Sequence, residues 1–223
     1  MKHDKRKSSL NFHNILGKEG LSSLTTRKYD KAILFHVESL LKKNHKILDV
    51  GCGYGRISLP LLKKGYDIWG IDLNKTYIKE LRRQLSDVES RARFTVADMC
   101  DLPFAARTFD VVLCLWSAFD ELLLVKDQVK AIREMHRVLK GGGFAFIEGH
   151  LYDEPTPEQI QDGAVTGEDG RVVRHDVAGG EYYLFNHDSE SLKNALIMSG
   201  IQNFSVGVEW FGWRNRMIVR FSK

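Results

Sequence analysis

The 223 residues predict a doubly wound α/β domain built on a mostly parallel sheet. Two observations point there. Short apolar runs without polar alternation recur between helical patterns through the first two thirds of the chain, as expected where helices cover both faces of a sheet. In addition, a turn with three glycines at alternate positions, Gly51 to Gly55, joins the first of those runs to a helix.

The elements follow in order. Residues 28–43 place Ile33, Val37, Leu40 and Leu41 on one helical face. Lys46 to Val50 is a short buried strand that ends at the glycine turn. A second helix runs through Ile57, Leu59, Leu61 and Leu62 and breaks at Gly65, and Asp67 to Asp72 is strand two. Residues 75–87 are helical, Arg93 to Asp98 are strand three, and Phe109 to Trp116 are an almost wholly apolar strand four. Residues 126–140 repeat Val129, Ile132, Met135 and Leu139 on one face. Gly141 to Gly143 stop that helix, and Phe144 to Glu148 form strand five. After His150 the character changes. Residues 151–181 hold two prolines, several glycines and many polar residues, with one candidate strand at Arg171 to Arg174. This reads as a lid inserted after strand five, over the carboxyl ends of the strands and reaching to about residue 185. A helix at 189–199 and strands at 204–210 and 216–221, the last antiparallel to the sheet, complete a domain spanning residues 28–223.

Composition narrows the function classes. Lys2, Lys5, Arg6 and Lys7 against Asp4 give a net +3 within the first seven residues of a chain whose total is +4, so the remainder is nearly neutral. Residues 1–27 therefore read as a basic, mobile N-terminal segment. No stacking aromatics are interleaved with these charges, which disfavours a nucleic-acid arm while leaving it open as an alternative. Cys52, Cys100 and Cys114 are widely spaced, which fits a reducing cytoplasm and excludes a Cys-x-x-Cys zinc site. No run approaches the ~18 apolar residues of a membrane span, and the first thirty residues lack a signal-peptide core. The expectation is a soluble, cytoplasmic protein without a membrane partner.

Glycine at alternate positions after a strand lets the backbone turn sharply and lets a ligand come close. In an open α/β sheet that crevice is the usual ligand site. A nicotinamide dinucleotide wants Gly-x-Gly-x-x-Gly, and the third glycine position here is Arg56, a large side chain where helix and strand must approach closely. The spacing instead suits a nucleoside without a pyrophosphate. Asp72, at the tip of strand two, is placed to accept hydrogen bonds from ribose hydroxyls. Asp98, closing strand three, could accept from an adenine amino group with Met99 over the ring, or could equally cap its own turn.

The run Ile47-Leu48-Asp49-Val50-Gly51-Cys52-Gly53-Tyr54-Gly55 resembles the first motif of the class I S-adenosylmethionine-dependent methyltransferases of the small-molecule type. Asp72 is similar to their acidic second motif, and Asp98 with Leu102-Pro103-Phe104 to their adenine-side segment. Phe109-Asp110-Val111-Val112 is similar to their fourth strand. Arg137 to Gly143 resembles their loop before strand five, with Gly141 where proline is common. The likeness covers residues 29–149 and, more loosely, 182–223. It implies a Rossmann-like fold and S-adenosylmethionine as cofactor, with S-adenosylhomocysteine as product. Asp49, Gly51, Cys52 and Gly53 would then lie along the methionine half, Asp72 and Leu73 at the ribose, and Asp98 and Met99 at the adenine. The Leu115 carbonyl would face the methionine ammonium. Tyr29 and Arg27 are candidates for the cofactor carboxylate, against the plainer readings of a core aromatic and a solvated charge.

In-line displacement at a sulfonium methyl needs little acid–base machinery. Orientation and exclusion of water supply most of the rate, with orientation worth roughly 7–11 kcal/mol. Trp116, Phe119 and Tyr152 are the candidate acceptor-side residues, the first two forming an apolar mouth or simply packing. If the nucleophile arrives protonated, His150 at the end of strand five is the best-placed base, with His187 behind it; the alternative for each is a histidine with a purely structural role. Glu148 could orient a cationic acceptor or merely pair at the rim. The remaining histidines show no ligand spacing, so no metal is expected. The acceptor is read as a small molecule. Strand four lacks the Asn-Pro-Pro-Tyr-like tetrad of exocyclic-amine methylation, since Cys114-Leu115-Trp116-Ser117 stands there. Action on RNA or protein, and cofactor binding without turnover, are the alternatives.

Overall fold

The computed structural model describes residues 10–17, 27–151, 165–166, 172–177, 180–211 and 215–223. A short helix α1 (10–17) is followed by α2 (Arg27–Leu40), β1 (Lys46–Val50), α3 (Ser58–Lys63) and β2 (Asp67–Asp72). Next come α4 (Lys75–Arg83), α5 (Val88–Ala92), β3 (Phe94–Val96) and β4 (Phe109–Cys114). A single 3-10 turn (Phe119–Glu121) leads to α6 (Val125–Val138) and β5 (Leu139–His150). Strands β6 (Val165–Thr166), β7 (Val172–Val177) and β8 (Gly180–Phe185) precede α7 (Ser189–Met198), β9 (Phe204–Trp210) and β10 (Asn215–Ser222).

The main sheet has seven strands in the order β3-β2-β1-β4-β5-β10-β9. The first five pair in parallel, and β10 runs antiparallel to both β5 and β9. One reversed strand therefore lies within an otherwise parallel sheet. Alternate residues of β1 feed opposite faces: Leu48 and Val50 enter the core beneath α6 and α7, while Ile47 enters the core beneath α2, α3 and α4. Burial on both faces explains why these strands read as continuous apolar runs.

Several boundaries differ from the sequence expectation. The helix expected over 75–87 ends at Arg83, and a separate short helix starts at Val88, where Asp87 caps it by accepting from Ser90 N. Strand three shortens to Phe94–Val96, since Asp98 folds back into a bridge with Asp101. Strand four stops at Cys114, and Trp116 and Ser117 take left-handed φ values of 59° and 61°. Gly141 to Gly143 do not separate helix from strand. They lie within β5 and form an irregularity between the Phe109–Leu139 and Val111–Phe144 pairs, where Gly142 takes φ 79° and binds the Lys223 carbonyl.

The insertion contributes a three-stranded antiparallel sheet, β6-β7-β8, rather than the single expected strand. Strand β8 packs against the 3-10 turn. Within the N-terminal segment read as mobile, residues 10–17 are helical and Phe12 is buried, so an apolar anchor ties that part down. No helix among the described residues is long and apolar enough to cross a membrane.

Candidate active site

The glycine turn and the carboxylate of β2 meet at the carboxyl ends of the strands. Gly51 N and Cys52 N both donate to the Ile71 carbonyl, at 2.8 and 2.9 Å. Gly53 N donates to Asp72 Oδ2 at 2.8 Å, and Asn74 N to Asp72 Oδ1 at 2.7 Å. Gly51 (φ 77°) and Gly53 (φ 54°) hold conformations that side-chain-bearing residues resist. The side chain of Cys52 turns away from the crevice and packs on Gly70, where a Cβ would fall 2.9 Å from Sγ. Its thiol is pushed well up, first by burial and then by Asp49 and Asp72.

Two carboxyls here resist ionisation. Burial raises Asp49 to about 7 against a 2.6 Å hydrogen bond from Ser58 Oγ, with Asp72 adding repulsion. Burial likewise raises Asp72 to about 6 although Asn74 N and Gly53 N favour its charged form. Two buried donors at the neighbouring strand ends, Asn74 Nδ2 and Trp116 Nε1, have no hydrogen-bond partner among the described residues. Unpaired buried donors are uncommon in native structures and fit a site that binds a polar ligand.

Along the adenine side, Asp98 accepts from Cys100 N at 2.9 Å and so caps its turn, while Met99 packs partly buried against the core. Leu73 is 37% exposed beside Asp72. Leu115 is buried, and its carbonyl accepts from Ala118 N at 3.3 Å.

A buried polar chain that the sequence did not reveal lies under the tips of β4 and β5. Glu148 is wholly buried and pairs with Arg216, which is 3% exposed. Tyr29 Oη donates to Glu148 Oε1 at 2.8 Å, and Trp116 N donates to Oε2 at 2.7 Å. Arg216 Nη2 donates to Ser117 Oγ at 2.6 Å, and that oxygen lies 2.6 Å from His150 Nδ1. Asp120 Oδ2 accepts from His150 N at 2.8 Å and lies 3.3 Å from Nδ1. The bonds to Glu148 draw residues 116 and 117 out of the strand and account for its early end.

At three candidate positions the structure bears on the alternatives that the sequence leaves open. Tyr29 commits its phenolic proton to Glu148, so that proton is not available to a cofactor carboxylate. Phe119 is 1% exposed and belongs to the core rather than to an acceptor-facing mouth. His187 is 1% exposed, packed between Phe119 and Phe185 at ring distances of 5.4 and 4.7 Å, which shuts it away from any acceptor. Trp116 stays at the mouth, with Arg56 4.1 Å over its ring and Tyr29 edge-on at 4.6 Å. The side chain of Arg27 and all of Tyr152 lie outside the described residues.

Helix α1 also reaches the site. His13 Nε2 lies 2.8 Å from Glu121 Oε1, and Nδ1 lies 3.2 Å from Tyr77 Oη. Burial pushes His13 down, but Glu121 and Asp72 together leave it above its ordinary value. Glu121 of the 3-10 turn thus shares an ionic neighbourhood with Asp72 at the tip of β2.

The sheet is ordered 3-2-1-4-5-10-9 with only β10 reversed, a Rossmann-like arrangement in which the glycine turn is hydrogen-bonded to an acidic residue at the tip of β2. Residues 47–143 match the family model described as a methyltransferase domain. It is 34% identical over 122 residues to ajmaline N-methyltransferase of Rauvolfia serpentina, a match covering 53% of this chain and 40% of that protein. The chain spans less than half the length of the first curated relatives it matches. Among solved structures, a protein from Pyrococcus horikoshii OT3 superposes with TM-score 0.73 at 20% identity, covering 96% of this chain and 99% of that one. The S-adenosylmethionine-bound amino pentose methyltransferase CalS10 from Micromonospora echinaspora gives 0.67 at 22% identity, covering 92% and 96%. These superpositions establish the fold.

Proposed function

We propose that the chain transfers the methyl group of S-adenosylmethionine to a small-molecule acceptor. The observation that carries this reading is the 2.8 Å bond from Gly53 N to Asp72, which puts the glycine turn and the ribose-side carboxylate in one crevice. Asp72 would accept from the ribose hydroxyls, and Asn74 Nδ2, a buried donor without a partner, stands two residues away. The backbone of Gly51 to Gly53, above Asp49, would follow the methionine half. The Leu115 carbonyl would receive the ammonium, with Trp116 Nε1 and the Arg56 guanidinium beside it. Asp98 and Met99 would border the adenine. When bound, the cofactor supplies an electrophilic methyl on a positively charged sulfur. The protein's contribution is to hold an acceptor in line with that methyl and to exclude water, for which the buried Leu115 and the half-buried Trp116 are suited. The β6-β7-β8 insertion would serve as the lid. The small-molecule acceptor is supported by the relatives, whose names specify ajmaline and an amino pentose.

A groove of about 550 Å³, lined by Lys75, Lys79, Arg82, Arg83 and Arg91 together with the apolar Ile78 and Val96, supports a second reading, an acceptor carried on a polyanion such as RNA. Salt-sensitive RNA binding lost on Lys75→Glu/Lys79→Glu would favour it. For the main reading, S-adenosylhomocysteine should raise the melting temperature while NAD does not. A labelled methyl donor with a metabolite mixture should then yield a labelled small product. Equal shifts with both nucleotides would refute the cofactor assignment.

A further inference from the structure

The buried chain of hydrogen bonds ends on one exposed imidazole. His150 is 36% exposed at its side chain, whereas Asp120 is 3% exposed and Ser117 5%. Both buried partners meet the same ring atom, Nδ1, at 3.3 and 2.6 Å, and Nε2 has no hydrogen-bond partner among the described residues. We propose that Asp120 and Ser117 position His150 in the tautomer that protonates Nδ1, so that Nε2 takes a proton from an acceptor presenting a hydroxyl or protonated-amine nucleophile. This rests on the methyltransferase reading and narrows its acceptor class.

The geometry favours that tautomer over its opposite. Ser117 Oγ accepts from Arg216 and keeps a proton of its own, so it can meet either tautomer and fixes the ring in place; the preference comes from Asp120, whose carboxylate can only accept. A carboxylate beside Nδ1 rewards a proton there and repels a bare lone pair. Burial pushes Asp120 upward, but the His150 hydrogen bond and the nearby His187 hold it below the usual carboxylate range, so it is an acceptor at neutral pH. The other charged groups of the cluster are Glu148 on β5 and Arg216 on β10, which pair with each other. The seat of Asp120 is built for it: a Cβ on Gly149 would fall 2.6 Å from Asp120 Oδ1. In the reaction, the acceptor's lone pair forms the bond to the methyl carbon while the sulfur–carbon pair stays on sulfur. A hydroxyl gives its proton to Nε2 in that step, whereas an ammonium gives one to Nε2 beforehand so that its nitrogen has a lone pair to attack, and Asp120 offsets the resulting imidazolium.

Nitrogen-15 correlation spectra of histidine-labelled protein, recorded at alkaline pH where the imidazole is neutral, test this without an acceptor. The wild type should show His150 protonated at Nδ1 and bare at Nε2. Asp120→Asn, and separately Gly149→Ala, should shift the population toward Nε2–H. A wild-type ring protonated at Nε2 overturns the inference, and so does a tautomer unchanged in both variants, which would leave Asp120 as a backbone cap only. S-adenosylhomocysteine calorimetry on the wild type separates the two readings. Absent binding with the expected tautomer refutes the methyl-donor reading, and binding with the opposite tautomer refutes this inference alone.

Discussion

Gly51 sits so close to Ala118 that a Cβ on Gly51 would lie 2.5 Å from the Ala118 Cβ. The glycine turn after β1 and the turn after β4 are therefore closely packed through the Ala118 side chain. Gly51→Ala combines that clash with a φ of 77° and should cost about 2–5 kcal/mol of stability, read by urea denaturation. Gly65→Ala has a similar φ of 80° but nothing within 4 Å. It should cost about 1 kcal/mol and leave S-adenosylhomocysteine affinity unchanged. Equal losses in the two variants would show that the contact contributes nothing.

Asp72→Ala should weaken S-adenosylhomocysteine binding by at least about 1 kcal/mol, or roughly fivefold. The wild-type affinity should also depend on pH. Burial raises Asp72 to about 6, and the ionised form is the stronger acceptor for ribose hydroxyls. Affinity therefore rises between pH 5 and 7 and levels off above, a step that Asp72→Ala removes. Calorimetry across that range checks both statements.

Arg216→Met strands Glu148 inside the protein without its counterion and should cost about 3–5 kcal/mol. Adding Glu148→Gln removes the orphaned charge and should restore part of that loss. A double variant less stable than Arg216→Met alone would mean that Glu148 depends chiefly on Tyr29 and Trp116. Chemical denaturation of the four proteins closes the cycle.

Asp49 gives a pH signature of the opposite kind. Its folded value of about 7, set first by burial, lies above its ordinary 3.8. Between pH 4 and 7 the folded protein holds a proton that the unfolded chain has released. This contribution is therefore full below pH 4 and is lost as pH rises through 7. Its slope is at most about 1.4 kcal/mol per pH unit. Asp49→Asn keeps an acceptor for Ser58 and should flatten the profile of denaturation midpoint against pH.

Local pattern made β1, β2, β4 and the glycine turn readable, because burial on both faces and a forced left-handed turn each leave a mark on neighbouring residues. The polar chain left no such mark. Ser117 and Arg216 stand 99 positions apart and meet only because β10 inserts beside β5. Glu148 interrupts an apolar strand and was a usable signal of a buried pair, yet its partner was not deducible from spacing. The left-handed pair Trp116 and Ser117 contains no glycine to announce it. His13 of α1 meets Glu121 of the 3-10 turn across 108 positions, another pairing that spacing does not announce. Phe119 and His187 look like site residues by position, and only packing shows them enclosed.

The place of β10 in the sheet also has a consequence for biosynthesis. Glu148 leaves the ribosome 68 residues ahead of the guanidinium that neutralises it. A nascent chain that has laid down β1 to β5 therefore carries an anion at the tip of its central strands with no counterion, and those tips cannot dry out until Arg216 arrives. The candidate site around Glu148 and Arg216 is thus completed late, after the glycine turn between β1 and α3.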